Sequence, residues 1–255
     1  EIPLRLVGSE MCIRDRSMLE EHIPFVSLSQ QVYLPFWGCA FHEQFKADAA
    51  IMAKMAPGTQ LVFLYLYYAE NTGSVNLTQI AKALSLSKAT CTRAINDLSA
   101  SGLISQTAEG TNKWITTAYT KSELLEKAYG RLKTPVDRIL YVKGTAQIEH
   151  PIASGIRALA RQSMIGVNDQ DGAIAISKKE AAKIPAEDIC TKQYFEDFGG
   201  AVIEVWSYDP IILERDGCVD DISLLLSMDN DPNERVQTCL DEIRQKHGLP
   251  IKEEE

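Results

Sequence analysis

Residues 76–101 constrain the fold more than any other part of the chain, because they hold two helical segments with only two residues between them. Asn76 stands three residues before Gln79, the spacing of a reciprocal N-terminal cap, so a helix is predicted over 76–84. Ser85-Leu86 leaves room only for a tight turn. Ser87 then caps a second helix running to about residue 101, and Gly102 stands where a helix end calls for a left-handed residue. Helices joined this closely must cross, and a crossing needs a small side chain, which Ala81 supplies. Ile80, Leu84, Leu86, Ile95 and Leu98 are the predicted core between them.

The flanks extend the pattern. Residues 59–70 read as a helix that is apolar nearly all round and therefore central. Upstream, Phe45, Ala49 and Met52 share one stripe, which predicts a helix over 43–56 stopped by Pro57-Gly58. Downstream, residues 103–106 and 113–117 read as strands, with 109–112 as the turn between them. Helix, helix, short turn, helix and a two-stranded hairpin make the outline of a winged helix-turn-helix.

In such a fold the third helix projects one face into a major groove, which is wide enough to admit it. At about 100° per residue, with Cys91 at zero, Ile95, Leu98 and Ala94 lie within roughly 60° of it and form the buried side. Ala89, Arg93, Asn96 and Thr92 lie roughly 100–160° away. An arginine can fork onto guanine and an asparagine can pair with adenine, while an alanine or a threonine methyl can touch a thymine methyl. Ser87, Lys88 and Thr90 cluster at the helix start, where side chains and free N–H groups can hold a phosphate. Lys82 on the preceding helix, with Asn112 and Lys113 in the wing, can reach the backbone. The candidate DNA-binding residues are therefore Lys82, Ser87, Lys88, Ala89, Thr90, Thr92, Arg93, Asn96, Asn112 and Lys113. Cys91 is read as a small buried hydrophobe and Trp114 as a packing residue at the base of the wing.

Charge is distributed to match. Net charge is −9, yet residues 57–145 hold ten basic and six acidic side chains, whereas residues 146–255 hold eleven basic and twenty-two acidic ones. The middle of the chain can approach phosphates and the C-terminal half cannot.

The gap-free string from Leu77 to Ile104, LTQIAKALSLSKATCTRAINDLSASGLI, resembles the DNA-binding core of MarR-type regulators. The resemblance implies a winged helix, double-stranded DNA as the partner, and a homodimer. The sequence departs from that family in its wing, which carries one lysine and no arginine, and in its acidic C-terminal half, which a minimal family member lacks. Within that half, Val205-Trp206-Ser207-Tyr208-Asp209-Pro210, Val219-Asp220-Asp221-Ile222-Ser223-Leu224 and Glu234-Arg235-Val236 resemble the tail of type IV, abortive-infection antitoxins. That likeness implies an alternative role: an antitoxin-type protein that binds a toxin through residues 146–255 and autoregulates its operon.

The organisation expected is α/β (α+β), a winged helix-turn-helix domain with an additional acidic mixed α/β C-terminal domain. Residues 1–17 read as a non-native leader, since residues 7–17 resemble a translated sequencing adaptor. Residues 18–56 form an N-terminal packing segment and helix, 57–120 the DNA-binding domain, 121–145 a connecting helix and linker, and 146–255 the acidic domain. In the last, helices are expected from Ser154 as cap to about residue 162, near 178–184, over about 220–228, and over 231–247. The last of these has Asp231 as N-cap and Gly248 after its end. Strands are expected over 172–176 and 201–206, and residues 139–142 read as a strand or an extended linker.

Other chemistries find little support. The six cysteines stand singly with no CxxC pair, so reduced thiols and a cytoplasmic location are expected rather than a disulfide or zinc framework. The four histidines lack metal-ligand spacing. Glu204 with Asp209, Asp216, Asp220 and Asp221 invites a nuclease reading, but Val205-Trp206 follows Glu204 where such a site needs a lysine. Ser154-Gly155 lacks the glycine pattern of a nucleophile elbow, and no phosphate-binding glycine loop is present. Neither an enzyme nor a cofactor is expected. No apolar run is long enough to span a membrane.

Overall fold

The structure is a computed structural model that describes residues 23, 25–27, 31–34, 39–42, 53–69, 75–109, 112–144, 148–166 and 172–251. It divides into two compact units, residues 1–51 and 52–255. The leader 1–17 and residues 43–52 of the first expected helix lie outside the described residues. In the first unit, β1 (Phe25–Ser27), β2 (Gln31–Leu34) and β3 (Cys39–His42) form an antiparallel meander. Val32 pairs Val26 on one side and Phe41 on the other.

In the second unit, Pro57 and Gly58 do not stop a helix; they begin α1 (Pro57–Tyr68), and residues 53–56 are not helical. Proline suits the first helical position, where its missing N–H would be unpartnered anyway. Then come β4 (Val75–Asn76), α2 (Leu77–Ala83) and α3 (Lys88–Ala100). The wing is β5 (Ser105–Glu109) paired antiparallel with β6 (Asn112–Thr116), and β4 joins β6 on its other side. α4 (Lys121–Tyr129) follows. It starts with a Thr120–Glu123 capping box.

The rest is built on a five-stranded mixed sheet in the order β10-β7-β11-β9-β8. Its strands are β7 (Val136–Val142), β8 (Ile152–Ser154), β9 (Ala173–Ser177), β10 (Ile189–Cys190) and β11 (Ala201–Trp206). β9 and β11 run parallel, and every other neighbouring pair is antiparallel. The helices are α5 (Gly155–Gln162), α6 (Lys178–Ala181), α7 (Lys192–Phe198), α8 (Asp221–Met228) and α9 (Glu234–Lys246). Two caps differ from expectation. Ser154 precedes α5 but makes no side-chain cap; its hydroxyl donates to Glu204 at 2.7 Å instead. Asn233, not Asp231, caps α9, because Asp231 spends its carboxylate on the Asn233 amide.

A single apolar cluster runs from Leu61, Leu64, Ile80, Leu84, Ile95 and Leu98 through Leu125 to Leu159, Trp206, Leu224, Leu225, Leu240 and Ile243. A smaller one, with Val142, Ile174, Ile176, Ala181, Ile203 and Val205, holds part of the sheet. α1 is the hub of the larger cluster, buried along most of its length as an all-apolar helix must be. Its buried Gln60 is engaged: it donates to Lys133 O and Tyr208 Oη and accepts from Lys133 N.

Candidate nucleic-acid interface

α2 begins at the Asn76 cap, whose carboxamide oxygen accepts from Thr78 N at 2.8 Å, while Gln79 reaches back to Asn76 N. Ser85 takes a positive φ of 52° in the turn, and Leu86 N closes it on Ala81 O at 3.0 Å. α3 then starts on Ser87, whose hydroxyl accepts from Thr90 N at 3.1 Å. At its far end Gly102 sits at φ 72°, a conformation that L side chains rarely adopt.

The division of α3 follows from its sequence. Cys91, Ala94, Ile95 and Leu98 are buried, with Cys91 at 0 % exposure. Lys88, Ala89, Arg93 and Asn96 are exposed, as are Ser87 before the helix and Lys82 on α2. The structure therefore brings Lys82, Ser87, Lys88, Ala89, Arg93 and Asn96 to solvent on the two helices. Thr90 and Thr92 are half-buried, and their hydroxyls are engaged locally. Thr90 Oγ1 lies 2.9 Å from Ser87 Oγ, and Thr92 Oγ1 donates to Lys88 O at 2.8 Å. These two can offer methyl groups more readily than hydroxyls. Asn112 and Lys113 lie in β6, and their side chains are outside the described residues. Burial pushes the Cys91 thiol up, away from a reactive thiolate, in keeping with a small packed hydrophobe.

Three positioning groups were missed in the sequence. Gln106 of β5 donates to Asn96 Oδ1 at 3.2 Å, which orients that carboxamide from the wing. Arg131, 5 % exposed, donates to Asp97 Oδ1 at 3.0 Å and to Ala53 O at 3.0 Å, tying the flank of α3 to the end of α4. Gly58 lets α1 approach α3 closely, since a Cβ there would stand 3.0 Å from the Thr90 methyl. All three are contacts between segments distant in sequence, and no local spacing announces them.

Three carboxylates of the C-terminal cluster have structural partners. Glu204 accepts from Ser154 and Trp206 Nε1. Asp209 caps the 3-10 turn Pro210–Ile212, and Asp220 caps α8. Among the described residues, no three His, Cys, Asp or Glu side chains stand together as a metal site would require. No described helix is long and apolar enough to cross a membrane.

Comparison with known proteins bears on the same segment. Residues 59–113 match the family model described as MarR family. No curated protein and no solved structure matches the chain. The match ends inside β6, so the antitoxin-like resemblance of residues 146–255 rests on sequence alone.

Proposed function

From the MarR-type winged helix that residues 59–113 carry, we propose that the chain is a transcriptional regulator binding double-stranded DNA by sequence, and that it represses by occupying its operator. The observation that carries this reading is the sidedness of α3. One face is sealed into the core by Cys91, Ala94, Ile95 and Leu98, and the other presents Lys88, Ala89, Arg93 and Asn96 to solvent. In the reading, Arg93 and Asn96 address base edges in the major groove, while Lys82 and Lys88 hold phosphates from either side. Lys113 adds a phosphate contact from the wing. A second copy of the chain reads a second half-site about one helical turn, roughly 34–36 Å, away.

A titration of the chain against its upstream duplex at two salt concentrations tests this. With about four to six phosphates neutralised per half-site, each half-site bound contributes roughly two to three orders of magnitude to the loss of affinity between about 50 and 200 mM salt. Lys88→Ala lowers the salt slope by about one, and Arg93→Ala costs about 1–3 kcal/mol on the preferred sequence. Binding insensitive to salt and unchanged in both variants contradicts the reading.

A further inference from the structure

A cleft of about 580 Å³ opens where α1, α4 and α9 meet the turn closed by the Arg215–Cys218 bridge. Its walls are Tyr67 and Tyr68 at the end of α1, Lys121 and Ser122 at the start of α4, Arg215, and Gln245 to Gly248 at the end of α9. Its charge is anomalous for its neighbourhood. Residues 146–255 hold twice as many acidic as basic side chains, yet the lining contains two lysines, an arginine and a histidine, and no aspartate or glutamate.

The four are not equivalent. Lys246 Nζ and His247 Nε2 both turn to Asp221 Oδ2, at 2.7 and 2.9 Å, so their charge is answered inside the protein. His247 Nδ1 is occupied as well, by the Tyr67 hydroxyl at 2.7 Å. Lys121 and Arg215 make no ion pair among the described residues. Arg215 stands over the Tyr68 ring, its Cζ 4.5 Å from the centroid, a cation–π contact made by a residue that is itself exposed. The Tyr68 ring is itself held, because its hydroxyl donates to Asp220 at 3.0 Å and accepts from Ile222 N at 3.0 Å. A guanidinium held over a ring, with a lysine lining the same cleft, is a donor set suited to a phosphate or to clustered carboxylates. The volume is that of a small-molecule site.

We propose that this cleft binds a small organic anion, carrying a phosphate or clustered carboxylates, between Lys121 and Arg215. The occupant bridges the winged helix and the C-terminal part of the same unit. The proposal concerns a site apart from the outward face of α3 and stands whether or not that face binds DNA.

Isothermal titration of the full chain with inorganic phosphate, adenosine monophosphate and citrate, at constant ionic strength, tests it. The expected result is saturable binding of at least one probe with Kd below about 1 mM, weakened about tenfold or more by Lys121→Ala and by Arg215→Ala, and unaltered by Lys183→Ala on the exposed surface. Lys121 makes no ion pair among the described residues, so Lys121→Ala decides the matter even if melting curves show that Arg215→Ala perturbs the fold. Absence of saturable binding of every probe, or weakening by Lys183→Ala equal to that by Lys121→Ala, overturns the site. A parallel titration with duplex DNA separates the sources of phosphate. Lys121→Ala is expected to leave duplex affinity unchanged, and a matching loss there assigns the cations to the DNA backbone and overturns the small-ligand proposal.

Discussion

Asp220 and Asp221 are neighbours whose carboxyls are driven in opposite directions. Asp220 is 2 % exposed; burial raises its pKa, and the hydrogen bonds it accepts from Ser223 and Tyr68 only partly offset that. Burial also pulls Asp221 upward, but the hydrogen bonds from His247 and Lys246 outweigh it and hold the carboxyl below the usual range. The signs of the pH dependence follow. The contribution of Asp221 is present above the unfolded carboxylate pKa of about 3.9 and is lost as pH falls through its depressed folded value. Asp220 does the reverse: its ionisation is free of penalty in the unfolded chain but unfavourable in the folded one, so stability is lost as pH rises from about 3.9 through its raised value. Urea unfolding of Asp221→Asn at pH 7 is expected to show a loss of about 2 kcal/mol relative to the parent, shrinking as pH drops below about 4. Asp220→Asn is expected to become more favourable relative to the parent between about pH 4 and 7. Parallel pH profiles for the two variants contradict the assignment.

Among the elements, α3 is set by features of two kinds, and they differ in how legible they are. Its start, its end and its buried stripe are local. Ser87, Gly102 and the three-to-four-residue spacing of Cys91, Ala94, Ile95 and Leu98 act within one turn or one face, and sequence suffices to place them. α1 was misplaced at its start because Pro57 can end a helix or begin one, and only the chain before it decides. The short α7 escaped notice because it spans only seven residues and buries none of them, so its Tyr194 and Phe198, four residues apart, mark no core-facing stripe. The joint between α3 and the end of α4 is illegible for another reason, since Asp97 and Arg131 are 34 residues apart. That joint is asymmetric, with side-chain exposures of 6 % for Arg131 and 37 % for Asp97. Asp97→Ala strands a buried cation and is expected to cost about 3 kcal/mol or more. Arg131→Met leaves an aspartate that water can reach and is expected to cost less, about 1–2 kcal/mol. Chemical unfolding of the two variants measures both values, and an equal or reversed order contradicts the burial argument.

For the molecule as a whole, the continuity of the core matters most. The cluster that seats α3 continues without a break into α5, α8 and α9, and Gln60, Tyr67 and Tyr68 of α1 hydrogen-bond across it to Tyr208, His247 and Asp220. Residues 52–255 are therefore expected to open as one cooperative unit. In hydrogen exchange of the full chain, the amides of Leu98 in α3 and Leu225 in α8 should report the same free energy of opening, and a difference above about 2 kcal/mol would show two separately unfolding parts. The composition gave no hint of this continuity, since the acidic surface of the C-terminal half conceals an interior shared with the winged helix. On the proposed function, the exposed side of α3 reads duplex sequence. Selection from a random duplex library with the parent chain and with Arg93→Ala tests it most directly. The parent is predicted to enrich a two-fold-related motif containing a guanine position, and Arg93→Ala is predicted to lose the preference at that position alone. Failure to enrich any motif, or enrichment of an identical motif by the variant, would contradict it.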